Sequence, residues 1–159
     1  GAAMQSLQRN GLDRVIKDAF AVGKPVLGIC IGSQIILAHS EENDTHCLGI
    51  IDGTVRSFSP DHRSEDGQKL KIPHMGWNGL NIKQSHPLLS GISAADEFYF
   101  VHSYYPAPRD SNCVMAETEY GISFASIIGL NNLFATQFHL EKSGPPGLKI
   151  LDNFCKWQP

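Results

Sequence analysis

The chain has 159 residues, 42% of them hydrophobic and 18% charged, with a formal net charge of −3. This length suits one domain, and the charge excludes a strongly basic surface for nucleic acid. No apolar run is long enough to span a bilayer, and the four cysteines lack the spacing of zinc sites or disulfide scaffolds. We therefore expect a soluble, cytoplasmic domain without a metal or cofactor.

The first predicted elements are a helix, a strand and a second helix. Apolar residues recur at helical spacing from Leu12 to Phe20, and Gly23 ends the pattern. The stretch from Pro25 to Ile29 is apolar without alternation, which is typical of a strand covered on both faces in a parallel sheet. Because an apolar helix is predicted after Cys30, this part of the chain indicates an α/β fold.

Cys30 stands between Gly28 and Gly32 at the predicted turn from strand to helix. A nucleophile on such a turn takes strained backbone angles, and neighbours without a β-carbon let the strand and the helix approach closely. The helix N-terminus would favour the thiolate over the thiol. The pattern predicts a nucleophile elbow, and the alternative is a buried cysteine in an ordinary strand-turn-helix.

The middle of the chain is predicted to contain a loop and several strands. Residues 54–58 alternate like a half-exposed strand, and residues 59–69 are charged and rich in loop formers. Met75 and Trp77 lie in a predicted loop, 74–78, where they either form an exposed binding surface or turn into the core. Further strands are predicted at 97–101, 113–118, 122–128 and 133–138, with a turn at Asn131 and Asn132.

The last predicted strand is followed by His139 and Glu141, and strand alternation would point both side chains to one side. A thiolate nucleophile needs a base, and an imidazole base needs a carboxylate that fixes its tautomer. Cys30, His139 and Glu141 are therefore the candidate catalytic triad. An isolated histidine near a carboxylate is more often structural, so this assignment depends on the elbow.

The remaining expectations concern the final helix and the other histidines. A helix is predicted over 147–157, with Leu148, Leu151, Phe154 and Cys155 on its inner face. Solvent exposure is expected for four histidines in polar stretches: His39, His46, His62 and His86.

Four segments in family order, 28–34, 73–78, 98–105 and 137–144, resemble the class I glutamine amidotransferases. The two middle segments closely resemble the glutaminase subunits of imidazole glycerol phosphate synthases. The resemblance implies a flavodoxin-like α/β fold, with a mixed sheet flanked by helices, in one glutamine amidotransferase type-1 domain over 1–159. Since the family begins with further strands and a glycine-rich oxyanion segment, we expect an N-terminally truncated domain that lacks them.

The resemblance also implies the reaction. Cys30 would attack the side-chain amide of glutamine, His139 would carry the proton, and Glu141 would orient His139, so that glutamate and ammonia are released. Leu140 stands where the family usually has proline, a change that leaves the alternation of the two neighbours intact. The implied substrate-binding residues are Ile31, Gln34, His102, Ser103 and Tyr104.

The implied partner is a (β/α)₈-barrel cyclase in a heterodimer. It would receive the ammonia without exposure to solvent and make imidazole glycerol phosphate and AICAR in histidine biosynthesis. The implied partner interface consists of Met75, Trp77, Tyr99 and Lys142. Two alternatives stay open, a paralogous subunit that serves another synthase and a truncated, inactive binding scaffold.

Overall fold

The computed structural model describes residues 1–159 and has mixed α/β architecture. The helices are α1 (Ala2–Arg9), α2 (Leu12–Ala21), α3 (Ile31–Ile35) and α4 (Gly144–Lys156). The strands are β1 (Val26–Ile29), β2 (His39–Ser40), β3 (Thr45–His46), β4 (Gly53–Ser57), β5 (His74–Gly79), β6 (Asn81–Ile82), β7 (Glu97–His102), β8 (Tyr104–Pro108), β9 (Val114–Glu119), β10 (Ser123–Leu130) and β11 (Leu133–Thr136). No helix combines the length and apolar character that crossing a membrane would require.

The central sheet has five strands in the order β1-β11-β10-β9-β6. β1 runs parallel to β11, with Ile29 opposite Thr136, and the other neighbouring strands are antiparallel. The turn between β10 and β11 contains Asn131 at φ +52°, as asparagine in a tight turn allows. A second sheet has the order β3-β2-β4-β8. β5 and β7 form a separate two-stranded antiparallel sheet, which we call the β5–β7 hairpin although β6 lies between its strands in the chain. The predicted mixed sheet is therefore confirmed.

Two hydrophobic clusters pack on the two faces of the central sheet. Phe134 belongs to the cluster that contains Phe98 and Phe138, whereas its neighbours Leu133 and Ala135 belong to the other cluster. Since successive side chains of a strand point to opposite faces, β11 lies between two cores and is buried along its whole length. This double burial fixes the strand that precedes His139.

The segment 74–78 is strand β5 and not the predicted loop. Gly76 and Asn78 look like loop formers in the sequence, but pairing with the aromatic strand β7 gives the segment an extended partner. Met75 and Trp77 are 62% and 54% exposed, so the expectation of an exposed apolar surface is confirmed and the core alternative is wrong.

Two other expectations about burial were wrong. The buried stripe of α4 consists of Gly147, Ile150, Leu151 and Phe154. The helix packs against the 140–143 segment at Gly147, where there is no room for a β-carbon, so Leu148 lies on the exposed side. Cys155 is also exposed. His62 is buried against the ring of Phe58, and its Nε2 is hydrogen-bonded to the carbonyl of Tyr120. The solvent exposure predicted for His62 from the sequence is therefore wrong.

Candidate active site

Cys30 directly follows β1 and precedes the five-residue helix α3. Its backbone angles are φ 52° and ψ −105°, a strained conformation for a residue other than glycine and one that a nucleophile elbow requires. A β-carbon on Gly28 would lie 2.9 Å from the β-carbon of Ala135, so this position needs glycine. A β-carbon on Gly32 would meet nothing within 4 Å. The strained turn therefore depends on only one of the two glycines.

The parallel pairing of β1 with β11 places Cys30 and His139 after neighbouring strands of the central sheet. The amide of Cys30 donates a hydrogen bond of 2.8 Å to the carbonyl of Thr136, the last residue of β11. His139 follows three residues later, and its amide donates to the carbonyl of Tyr99 in β7 at 2.9 Å. Cys30 and His139 thus both follow the carboxyl ends of neighbouring parallel strands, where α/β sheets commonly bind ligands.

His139 and Glu141 are joined by a hydrogen bond of 2.6 Å between Nδ1 and Oε1. Strand alternation was predicted to point the two side chains to one side, and this reason was wrong. β11 ends at Thr136, and Glu141 lies in a 3₁₀ turn, Leu140–Lys142. The carboxylate accepts a hydrogen bond from Nδ1, which leaves Nε2 as the nitrogen that can exchange a proton with another group. Partial burial raises the pKa of Glu141, but the hydrogen bond from His139 and nearby positive charge outweigh it and hold the pKa below its ordinary value.

Burial raises the pKa of the Cys30 thiol above its ordinary value. The backbone N–H of Ile31 lowers this pKa in part, while the charges of Glu141 and Lys142 act in opposite directions on it. The expected gain from a helix N-terminus is therefore smaller than the cost of burial, since α3 has only five residues. The thiol consequently needs a base to become a nucleophile.

A cleft of about 350 Å³ opens beside Cys30. It brings together Cys30 and all five predicted substrate-binding residues, Ile31, Gln34, His102, Ser103 and Tyr104. Glu42 also lines this cleft and was missed by the sequence reasoning, which had no means to connect residue 42 with residue 30. Its carboxylate suits an ammonium group. No group of three or more His, Cys, Asp or Glu side chains is arranged to hold a metal ion.

Gln137 is the second residue that the sequence reasoning missed. It is fully buried, its Oε1 accepts a hydrogen bond of 2.9 Å from Nε2 of Gln34, and its own Nε2 lies 3.8 Å from Sγ of Cys30. The available signal was a polar residue in an otherwise apolar strand end, two positions before His139.

The four predicted interface residues lie on the β5–β7 hairpin and on the turn that follows His139. Trp77 stands opposite Tyr99 in the hairpin, and their rings meet edge to face at 5.9 Å between centroids. The amide of Tyr99 donates to the hydroxyl of Ser143 at 3.0 Å, which joins the hairpin to the turn containing Lys142. We call the surface of Met75, Trp77, Tyr99 and Lys142 the hairpin face.

Comparison with known proteins gives a consistent result. The model of the family described as "Glutamine amidotransferase class-I" matches residues 5–157. The imidazole glycerol phosphate synthase subunit HisH of Nitratidesulfovibrio vulgaris (strain DSM 19637 / Miyazaki F) is 53% identical over 159 residues, which cover 98% of this chain and 74% of that protein. The protein of the same name from Neisseria gonorrhoeae is 49% identical over 154 residues, or 97% of this chain and 72% of that protein.

Solved structures of low identity share the fold. PurLQS from Thermotoga maritima superimposes with a TM-score of 0.66 at 16% identity, over 91% of this chain and 67% of that chain. A crystal structure of a glutamine amidotransferase superimposes with a TM-score of 0.64 at 14% identity, over 96% of this chain and 72% of that chain.

Proposed function

Because the chain belongs to the class I glutamine amidotransferase family, we propose that it is the glutaminase subunit of an imidazole glycerol phosphate synthase. The observation that carries the proposal is the 53% identity to such a subunit over 98% of this chain. The strained Cys30 turn and the hydrogen-bonded pair of His139 and Glu141 support it independently, since a nucleophile elbow presents its nucleophile on such a turn and a cysteine nucleophile is commonly activated by an adjacent base.

In the proposed reaction, Nε2 of His139 takes the proton of the Cys30 thiol. The thiolate attacks the side-chain carbonyl carbon of glutamine, and the amide N–H of Ile31 donates to the oxyanion that develops. His139 then protonates the leaving nitrogen, so that ammonia departs and a thioester remains on Cys30. Water, deprotonated by His139, cleaves the thioester and releases glutamate. Glu141 holds the imidazole in the required tautomer throughout.

The cleft beside Cys30 is the proposed glutamine site. Gln34 and the backbone of His102, Ser103 and Tyr104 would hold the amino-acid end of the substrate, and these residues line one cleft with the nucleophile. The carboxylate of Glu42 at the same cleft would attract the α-ammonium group of glutamine.

The hairpin face is the proposed docking surface for a (β/α)₈-barrel cyclase, which would use the ammonia to make imidazole glycerol phosphate and AICAR. Exposed large apolar side chains at Met75 and Trp77 support this assignment, because such side chains in a contiguous patch are typical of protein interfaces. Lys142 adds a positive charge at the rim of the same surface and directly follows Glu141.

The test is glutamate release from glutamine, measured for the chain alone and with the cyclase of the same organism. We expect glutamine-dependent turnover with the cyclase and its complete loss in Cys30→Ser. The matched control is Cys155→Ser, an exposed thiol far along the chain from the elbow, which should retain full activity. Cyclisation with added ammonium salt should be the same for all three proteins.

Two other results would each favour an alternative. If the chain binds the cyclase but wild type and Cys30→Ser are equally inactive with glutamine, the chain is a binding scaffold. If the chain hydrolyses glutamine only with a different synthase, it is a paralogous subunit.

A further inference from the structure

A row of buried polar side chains connects the β5–β7 hairpin with Cys30, and the function proposed above gives no role to the side chains of His74, His102 and Gln137 in this row. His74 and His102 face each other from the two strands of the hairpin, with 3.0 Å between Nδ1 of His74 and Nε2 of His102. Both rings are buried in an aromatic cluster around Phe100 and Phe124. Burial holds the pKa of His102 at about 4 and, together with the neighbouring His102, that of His74 at about 3, so both rings are neutral at pH 7.

The direction of the hydrogen bonds follows from the backbone. Nδ1 of His102 lies 2.8 Å from the carbonyl of Tyr104, which can only accept, so Nδ1 carries the single proton of this ring. Nε2 of His102 is then an acceptor, and Nδ1 of His74 must donate to it. The remaining Nε2 of His74 accepts from the side-chain amide of Asn78 at 3.4 Å. Asn78 is itself oriented by donating to the carbonyl of Glu119.

The same Tyr104 carbonyl continues the row toward the nucleophile. It accepts a second hydrogen bond, of 3.0 Å, from Nε2 of Gln34, whose other N–H donates to Oε1 of Gln137 at 2.9 Å. The orientation of the Gln137 amide is thereby fixed, and its NH₂ group points at Sγ of Cys30 at 3.8 Å. Each amide and each imidazole in the row therefore has one allowed orientation.

We propose that Gln137 is a positioning residue that holds an N–H on the Cys30 sulfur, and that His74 and His102 fix its orientation through the Tyr104 carbonyl and Gln34. This inference rests on the proposed role of Cys30 as the nucleophile. A hydrogen bond to the sulfur favours its charged form, so it counteracts the burial that raises the pKa of the thiol. The row also reaches β5, whose outward residues Met75 and Trp77 are part of the hairpin face.

The first test needs no variant and no activity. Long-range ¹H–¹⁵N spectra of the imidazoles at pH 7 should show that His74 and His102 both carry their proton on Nδ1. A proton on Nε2 of His102, or a charged ring at either position, would overturn the proposed direction of the row.

The second test is the pH dependence of Cys30 alkylation by iodoacetamide, read by mass spectrometry at Cys30, because the thiolate is the reacting form. Gln137→Met keeps the length of the side chain and removes the N–H donor. We expect the midpoint of the alkylation rate against pH to rise by about one pH unit. This shift corresponds to about tenfold less thiolate at a given pH below the midpoint. Gln137→Glu replaces the donor by a carboxyl group and should raise the midpoint further. Glu141, Lys142 and the Ile31 amide, which also act on the thiol, are unchanged in these variants.

A matched pair at His74 tests the remote part of the row. His74→Asn places an amide N–H where Nδ1 was and should keep the wild-type midpoint, whereas His74→Leu removes the donor and should raise it. Unchanged midpoints in folded Gln137→Met and His74→Leu would overturn the proposal. Since alkylation needs no substrate, this outcome is distinct from a failure of the proposed glutaminase function, which would appear as absent glutamate release from a protein whose midpoints shift as expected.

Discussion

At the carboxyl ends of β1 and β11, backbone hydrogen bonds position the candidate catalytic residues. In the β5–β7 hairpin, side-chain packing positions the residues instead. The backbone amide of Cys30 donates a hydrogen bond to the carbonyl of Thr136, and that of His139 donates one to the carbonyl of Tyr99. In the hairpin, inward residues such as His74 and Phe100 pack in the aromatic core, and outward residues such as Trp77 face solvent. Catalytic placement, stability and partner binding should therefore respond to different substitutions.

The largest expected effect is at the strand ends. His139→Ala should lower glutamine-dependent kcat by about 10⁴- to 10⁶-fold, because it removes the base, and Glu141→Gln should lower kcat by one to two orders of magnitude less, because it only orients that base. Steady-state glutamate release in the presence of the cyclase measures both. Affinity for the cyclase should stay at the wild-type value, and a parallel loss of affinity would show that the two regions are not separable.

On the outer side of the hairpin, Trp77→Ala should weaken cyclase binding by at least about 2 kcal/mol, or roughly thirtyfold in Kd, since aromatic anchors dominate interfaces. A polar substitution in the 59–69 loop, such as Gln68→Ala, is the control and should have a smaller effect. Calorimetric titration gives both affinities. Because Trp77 is 54% exposed, its removal should leave Tm almost unchanged, and normal binding with a Tm lower by several degrees would instead assign Trp77 to the core.

The inner side of the hairpin should make the protein sensitive to acid. Burial keeps the pKa of His74 at about 3 and that of His102 at about 4, whereas both are near 6.5 in the unfolded chain. The unfolded state therefore takes up more protons as the pH falls below about 6.5, and stability decreases toward pH 4. Between pH 7 and pH 5 we expect a loss of at most about 2 kcal/mol for each histidine.

Urea unfolding at pH 7, 6 and 5 measures this loss. His102→Asn should reduce the dependence of unfolding free energy on pH, whereas substitution of the exposed His46 by Asn should not. If the unfolding free energy depended on pH equally in the two variants, this would contradict a neutral, buried pair of His74 and His102.

The last comparison is between the two glycines of the elbow. Gly28→Ala should destabilise the protein by about 1 to 3 kcal/mol, because the new β-carbon would lie 2.9 Å from Ala135 Cβ and from the carbonyl carbon of Gly32. Gly32→Ala meets open space and lies in α3, so its free energy of unfolding should equal that of wild type or exceed it by up to about 1 kcal/mol. Chemical denaturation of the two variants shows whether the elbow requires glycine at both positions or only at Gly28.

The sequence allowed the elbow and most strands to be predicted because their signals are local. Gly28, Cys30 and Gly32 lie within five residues, and the apolar runs of β1, β10 and β11 are short and continuous. The pairing of β1 with β11 could not be predicted from the residues alone, since nothing near Val26 specifies Leu133 as its neighbour. The resemblance to a family supplied what local patterns could not.

Other features were missed because they depend on contacts between distant segments. β5 was taken for a loop because its glycine and asparagine are extended only when paired with β7. The role of Gln137 could not be predicted, since its side-chain partners Ser33, Gln34 and Cys30 are about a hundred residues away in the sequence. The tautomer of His102 follows from the carbonyl of Tyr104, two residues away, but that of His74 follows from its contact with His102 in the paired strand, 28 residues away.

The β1–β11 register has a consequence for the chain while it is being synthesised. Cys30 leaves the ribosome long before His139, and at a synthesis rate of about 5–20 residues per second the delay is roughly 5 to 20 s. During this time β1 lacks β11, the strand with which it pairs in the central sheet. Closing so long a loop is also entropically costly and slow. The thiol and its proposed base are thus assembled only after β11 has been synthesised, so a shorter nascent chain carries the Cys30 thiol without the histidine proposed to activate it.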